Sequence, residues 1–159
     1  MLERRVVYFQ LGCFFPITNM IYPVFLKTIL RTTNTEGEHD EIRYEGRAMA
    51  ALRENGTWSV RYTDAENHGQ TAIQGADLWV SVSRDGDTKS RLLFRVGDLL
   101  ESIYKTPQGE FAMSTQTTFL HQEVTEAQAE VQVHYELYLS GSLVTTNELT
   151  LTWAPLPTK

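Results

Sequence analysis

Every second residue between Ala129 and Leu139 is apolar or aromatic: Ala129, Val131, Val133, Tyr135, Leu137 and Leu139, with Glu130, Gln132, His134, Glu136 and Tyr138 between them. A period of two sends alternate side chains to opposite faces of a strand, one toward a core and one toward water. Three long stretches with this pattern, 109–122, 127–140 and 142–153, close the sequence almost without a break. Shorter ones precede them. Residues 22–33 alternate Val24, Leu26 and Leu30 with Phe25, Lys27 and Arg31. Residues 41–52 place Ile42, Tyr44, Gly46 and Ala48 on one face, and 58–62 do the same with Trp58, Val60 and Tyr62. Further strands are predicted at 68–74, 78–83, 89–95 and 102–106. Glu54-Asn55-Gly56, Asp85-Gly86 and Pro107-Gln108-Gly109 supply tight turns between them. Asp98 and Glu101 have the spacing of one capped helical turn, and Thr125 with Gln128 sits in a connecting loop.

These elements make an all-β chain joined by short turns. Strands of a dozen residues left at an open edge would expose a long unpaired ladder, and closure removes that edge. The expected architecture is therefore a single antiparallel up-and-down β-barrel of about eight to ten strands. The last hairpin allows a register argument. A two-residue turn pairing Leu139 with Ser142 would set the core face of one strand against Val144, Thr146 and Glu148. A three-residue loop at Ser140-Gly141-Ser142 pairs Leu139 with Leu143, Leu137 with Thr145, Tyr135 with Asn147 and Val133 with Leu149. Because a slip of one residue exchanges faces, the second register is expected.

The chain of 159 residues is long enough for one domain with its own core. Its net charge of −6 argues against a broad nucleic-acid footprint. Cys13 is the only cysteine, so no internal disulfide forms and a cytoplasmic location is the default. Val6–Phe15 is apolar after a basic start, but Gln10 and Pro16 interrupt it, and it is too short to span a bilayer. Met20 is read as the natural start, residues 1–19 as a poorly ordered upstream extension, and 20–155 as the barrel domain.

Catalytic motifs are absent: no G-x-S-x-G elbow, phosphate loop or dinucleotide fingerprint occurs. The histidines, His39, His68, His121 and His134, lack metal-ligand spacing to one another, so no metal or cofactor is assigned. Lys89, Arg91 and Arg95 share a face that reads as solvated and balanced by Asp85 and Asp87. Asp40 and Glu41 fall in a loop. Gly56-Thr57-Trp58 matches a G-x-W pattern, with Trp58 read as core packing. The informative feature is polarity in the inward register. Thr115 and Thr117 lie between Phe111, Met113 and Phe119, and Thr145 and Asn147 lie between Leu143 and Leu149. A buried asparagine needs partners, and Tyr135 opposite Asn147 can supply one. Tyr44, Tyr62 and Tyr104 complete the candidate ligand-binding lining.

The order Val80–Ser83, Arg84-Asp85-Gly86, Leu92-Leu93-Phe94, Tyr104-Lys105-Thr106-Pro107-Gln108-Gly109, Thr115–Thr118 and the terminal strands through Tyr135 and Leu149–Trp153 resembles the YwiB-like family of bacterial proteins, a domain of unknown function. Pro23-Val24-Phe25-Leu26-Lys27 fits the start of that family. The resemblance covers residues 20–153. It implies a calycin-type (lipocalin-like) barrel and carries over no catalytic or ligand residues. The expected function is non-enzymatic binding of a small, partly apolar ligand in or at the mouth of the barrel. The alternative is a homodimeric interaction or structural module with a solid barrel core, using outer residues such as Tyr138 and Phe25. An enzyme with an unrecognised site ranks third, and neither nucleic acid nor membrane is expected as a partner.

Overall fold

In a computed structural model that describes residues 19–157, the chain forms a closed antiparallel barrel of ten strands. They are β1 (Met20–Asn34), β2 (His39–Leu52), β3 (Trp58–Asp64), β4 (Gly69–Ala76) and β5 (Trp79–Asp85), followed by β6 (Lys89–Phe94), β7 (Leu99–Thr106), β8 (Gly109–Val124), β9 (Ala129–Leu139) and β10 (Ser142–Pro155). Each strand lies beside its neighbours in sequence, and β1 pairs with β10 to close the wall. This is the expected up-and-down barrel. The extension expected at 1–19 lies outside the described residues, apart from Asn19, whose Oδ1 accepts the Glu54 amide at 3.3 Å. Among the described residues, no helix is long and apolar enough to cross a membrane.

Several boundaries move. Paired backbone carries β1 to Asn34 and β2 back to His39, so Asp40 and Glu41 belong to a strand. Glu41 there bridges the Arg31 and Arg43 guanidiniums. The helical turn expected at Asp98 gives way to β7, because Leu99 through Thr106 pair with Gln116 through Gly109 of β8. At the last hairpin the expected three-residue loop is replaced by two devices. Ser140 and Gly141 form a two-residue turn with φ of 50° and 84°, so Ser142 faces Leu139. A bulge between Leu143 and Thr145 then absorbs one residue and restores Leu137 to Thr145, Tyr135 to Asn147 and Val133 to Leu149. The tight turn is kept, and the apolar face still reaches the core.

The two ends of the barrel differ. At the closed end, where the odd-numbered strands begin, rings and amides from non-adjacent strands meet across the interior. Trp58 of β3 and Trp153 of β10 have centroids 5.4 Å apart. Trp58 Nε1 donates to Gln122 Oε1 of β8 at 2.8 Å, and Gln122 Nε2 donates to the Ala76 carbonyl at 2.5 Å. Phe94 of β6 packs on Tyr135 of β9 at 4.5 Å. Leu26, Leu52, Val60, Val80, Val124, Val131 and Leu151 fill the space between. Side chains thus occupy this half solidly.

The wall itself is uneven. β6 and β7 share one residue pair, Lys89 with Lys105. Past it, the Thr115 hydroxyl of β8 donates to the Leu93 carbonyl of β6 at 2.5 Å, and the Gly97 amide donates to the Thr117 carbonyl at 3.2 Å. The β6–β7 seam is therefore tied by β8.

At the other end, Asn67 clasps the 65–68 and 86–88 connections. Its Nδ2 donates to the Thr88 carbonyl at 2.9 Å, and its Oδ1 accepts the Thr88 amide at 2.8 Å and hydroxyl at 2.9 Å. The loops approach so closely that a Cβ on Gly69 would stand 1.8 Å from the Asp85 carbonyl oxygen, and one on Gly86 would stand 2.0 Å from that of Asn67. Asn67→Ala removes three hydrogen bonds to Thr88 and should lower stability by about 2 kcal/mol. A urea titration reads this as an earlier midpoint with an unchanged slope. An unmoved midpoint would show that water replaces the clasp.

Candidate functional site

Where the odd-numbered strands finish, inward-facing side chains are only half-buried. Parity fixes the inward face: Val80, Val82 and Arg84 on β5, Val60 and Tyr62 on β3, Ala50, Ala48, Tyr44 and Ile42 on β2, and Thr117, Thr115, Met113 and Phe111 on β8. Along each strand, exposure rises toward this end, and Ile42 and Phe111 reach 50% and 43%. Side chains that point inward and still touch solvent form the rim of this end, the mouth of the barrel.

The structure brings some of the candidate residues together. Tyr44 and Tyr62 stack with centroids 4.1 Å apart and planes 24° apart. The Tyr44 ring folds over Gly46, where a Cβ would meet its hydroxyl at 2.7 Å, and donates to the Arg47 carbonyl at 3.1 Å. Thr117 and Asn147 flank Tyr135 on neighbouring strands. Other candidates are already engaged. The Thr115 hydroxyl ties the β6–β7 seam. The Asn147 amide donates to Thr145 Oγ1 at 2.9 Å, so the partner expected from Tyr135 comes from two residues along its own strand. Tyr104 stands at the rim beside Phe111, with centroids 6.5 Å apart. Phe119, read as inward from its spacing, turns outward beside His134, because a bulge between Thr117 and Phe119 reverses the parity of β8.

Three buried polar groups remain unmatched among the described residues, Ser81 Oγ, Trp153 Nε1 and, alone among the candidate residues, Thr117 Oγ1. Thr117 is 1% exposed, and its Oγ1 has no hydrogen-bond partner. Sequence reading missed Arg84, which it placed in a turn. β5 continues to Asp85, and Arg84 pairs with Thr71 on one side and Ser90 on the other. Continuing the Val80, Val82 alternation by one step was the available signal. Arg84 lies close enough to Tyr62 and Tyr135 for its positive charge to act on both. Burial pushes the Tyr135 hydroxyl up to about 12, against the opposing effect of Arg84. Burial also raises Tyr62, and Arg84 is the largest influence opposing it. The Thr71 hydroxyl further lowers Tyr62, whereas Asp64 and Tyr44 raise it.

Outside the mouth, two hollows mark the surface. One of about 290 Å³ is lined by Asp77, Leu78, Arg95, Val96 and residues 120–122. One of about 590 Å³ lies against Arg31, His39, Glu41 and Glu148. Neither contains a candidate residue. His121, Glu123 and Glu130 form an outer cluster with ligand atoms within 4.8 Å of one another, and His121 Nε2 is already 3.0 Å from Glu123 Oε1. Spacing between histidines could not reveal it, because the third member belongs to the next strand. Of the basic residues on β6 and the following turn, Lys89 pairs with Asp85 at 2.7 Å and Arg95 with Asp98 at 3.7 Å.

The crystal structure of the YwiB protein from Bacillus subtilis superposes with a TM-score of 0.76 at 18% identity, covering 86% of this chain and 94% of that one. At that identity the likeness concerns the fold. No curated protein matches the chain. The family model described as a domain of unknown function, DUF1934, matches residues 26–151. With the barrel and most of its length accounted for by that match, the chain belongs to the DUF1934 family.

Proposed function

We propose that this barrel is a non-enzymatic binding protein that holds a small, partly apolar ligand at its open mouth. The packed closed end confines the ligand to the mouth, above Tyr135 and Phe94. Ile42 and Phe111 offer apolar surface there, the stacked Tyr44–Tyr62 pair offers a flat wall, and Thr117 holds an unused hydroxyl in the floor beneath them, beside Tyr135. A few polar groups set in an apolar and aromatic lining are the common composition of small-molecule sites. The unpartnered Thr117 hydroxyl carries the reading, since a buried hydroxyl left unmatched opposes folding. A calycin-type assignment and a cytoplasmic location accord with this proposal.

Native mass spectrometry of protein purified from its own host should show a retained small-molecule mass. Thr117→Val should bind that molecule about tenfold more weakly while leaving stability unchanged or raised by up to about 1 kcal/mol. A loss of stability beyond about 1 kcal/mol would mean that the hydroxyl is already satisfied, and would remove the reading.

A homodimer is the second reading, favoured by Ile103 and Leu143, which stand exposed on the outer wall of β7 and β10. Tyr138 adjoins Leu143 on that surface, and Phe25 lies away from it. Phe25 pairs with Ala154 toward one end, and Tyr138 with Leu143 toward the other. A dimeric mass in solution that Ile103→Lys dissociates would support this second reading, and a monomer would remove it.

A further inference from the structure

The geometry points to an anionic ligand: we infer that Arg84 is the recognition residue of the mouth, taking the carboxylate or phosphate of a small organic anion whose apolar part lies against Tyr62 and the mouth lining. This inference rests on the mouth being a binding site and adds the ligand's chemical class.

Four observations carry it. Arg84 shares the inward face of Val80 and Val82, and its cross-strand neighbours Thr71 and Ser90 present hydroxyls beside it. The residue is half-buried. Among the described residues, no carboxylate lies within ion-pair distance of it, a state it shares with Lys27, Arg47, Arg53, Arg61 and Arg91, which unlike Arg84 are not on the inward face of β5. Thr117, 1% exposed, faces the same interior from beside Tyr135 with an unpartnered hydroxyl.

Asp64 is the competing charge. It faces the mouth from the end of β3, but the Thr71 hydroxyl donates to its Oδ2 at 3.3 Å. Arg84 acts more strongly than Asp64 on Tyr62, and it is the charge that acts on Tyr135. The Arg84 charge therefore reaches the Tyr62 and Tyr135 hydroxyls, although the chain carries a net charge of −6. A guanidinium presents paired N–H donors that match the two oxygens of a carboxylate or phosphate, which gives orientation as well as attraction.

Three probes sharing one apolar chain, octanoate, octyl phosphate and 1-octanol, test this by titration calorimetry and by amide chemical shifts. At least one anion should bind the wild-type protein about tenfold or more tightly than octanol, with shifts at β3, β5 and β9. Arg84→Gln should abolish that preference while octanol still binds, and Arg84→Lys should keep part of it. The preference between octanoate and octyl phosphate identifies the head group. Equal binding of anion and alcohol, or an anion preference that survives in Arg84→Gln, overturns the role of Arg84 and leaves the mouth as a neutral site. Absence of binding by all three probes overturns both the role and the mouth. Thermal unfolding of each variant in parallel verifies that it is folded.

Discussion

Trp58→Ala should lower the stability of the barrel by about 3–5 kcal/mol, the range expected when a fully buried large aromatic is deleted. Trp58 is 0% exposed and touches partners from three directions: the Trp153 ring, the Gln122 amide and Gly75 of the adjacent strand. Its removal opens a void at the closed end and strands Gln122 Oε1 in an apolar interior. Trp58→Phe separates the two effects. It keeps most of the packing and loses the N–H donor, so about 1–3 kcal/mol should remain as the hydrogen-bond share. For a domain whose total stability lies at roughly 5–15 kcal/mol, the alanine variant approaches the unfolding threshold. Urea unfolding read by far-ultraviolet circular dichroism measures both variants. Equal losses in the two would show that packing contributes little and that the Gln122 contact dominates.

Strong base should unfold the protein cooperatively, with Tyr135 as the leading cause. Its hydroxyl is held up to about 12 in the folded barrel by burial, against an ordinary value near 10. Below pH of about 10 both folded and unfolded chains keep the proton, and stability is unaffected. Between about 10 and 12 only the unfolded chain ionises, so stability falls. Above about 12 the loss is complete, at roughly 3 kcal/mol for this group. Tyr62, Tyr44 and Tyr22 are raised by burial as well and act in the same direction. Urea midpoints at pH 9 and pH 11.5 should fall steeply in the wild type and less steeply in Tyr135→Phe. Parallel slopes would show that the buried ring is not the group being titrated.

Much of the wall was legible in the amino-acid order. Alternation located the ten strands and paired Tyr135 with Asn147, because the two faces of a half-buried strand have opposite demands. The bulges near Thr117 and Val144 were not legible. A bulge inserts one residue without any composition of its own, which is why Phe119 was read on the wrong face and the Gly141 turn was given an extra residue. The site was legible only in part, since alternation tells inward from outward and says nothing of depth. Tyr62 and Trp58 share a face of β3, yet one lines a mouth and the other a packed floor. Thr115 and Thr117 look equivalent in sequence. Only the approach of Leu93 across the seam satisfies the first and leaves the second unmatched. Arg84 was passed over because the Asp85-Gly86 signal invited an early end to its strand.

The way the barrel closes also constrains how it can assemble. Eleven residue pairs join β1 to β10, whereas β6 and β7, consecutive in the chain, share one. The continuous ladder therefore runs from β7 through β10 and β1 to β6, and its central junction joins strands separated by nearly the whole described length. Neither half can shield its apolar face until that junction forms, and closing so long a loop costs conformational entropy before any contact offsets it. High contact order of this kind places folding in the slow range of milliseconds to seconds. During synthesis β1 can pair with β2 at once, but its other edge must wait, unpaired, until β10 has emerged. The charged outer residues Lys27 and Arg31 of β1 therefore bear on the nascent chain as well as on the finished barrel, where they discourage premature edge-to-edge pairing.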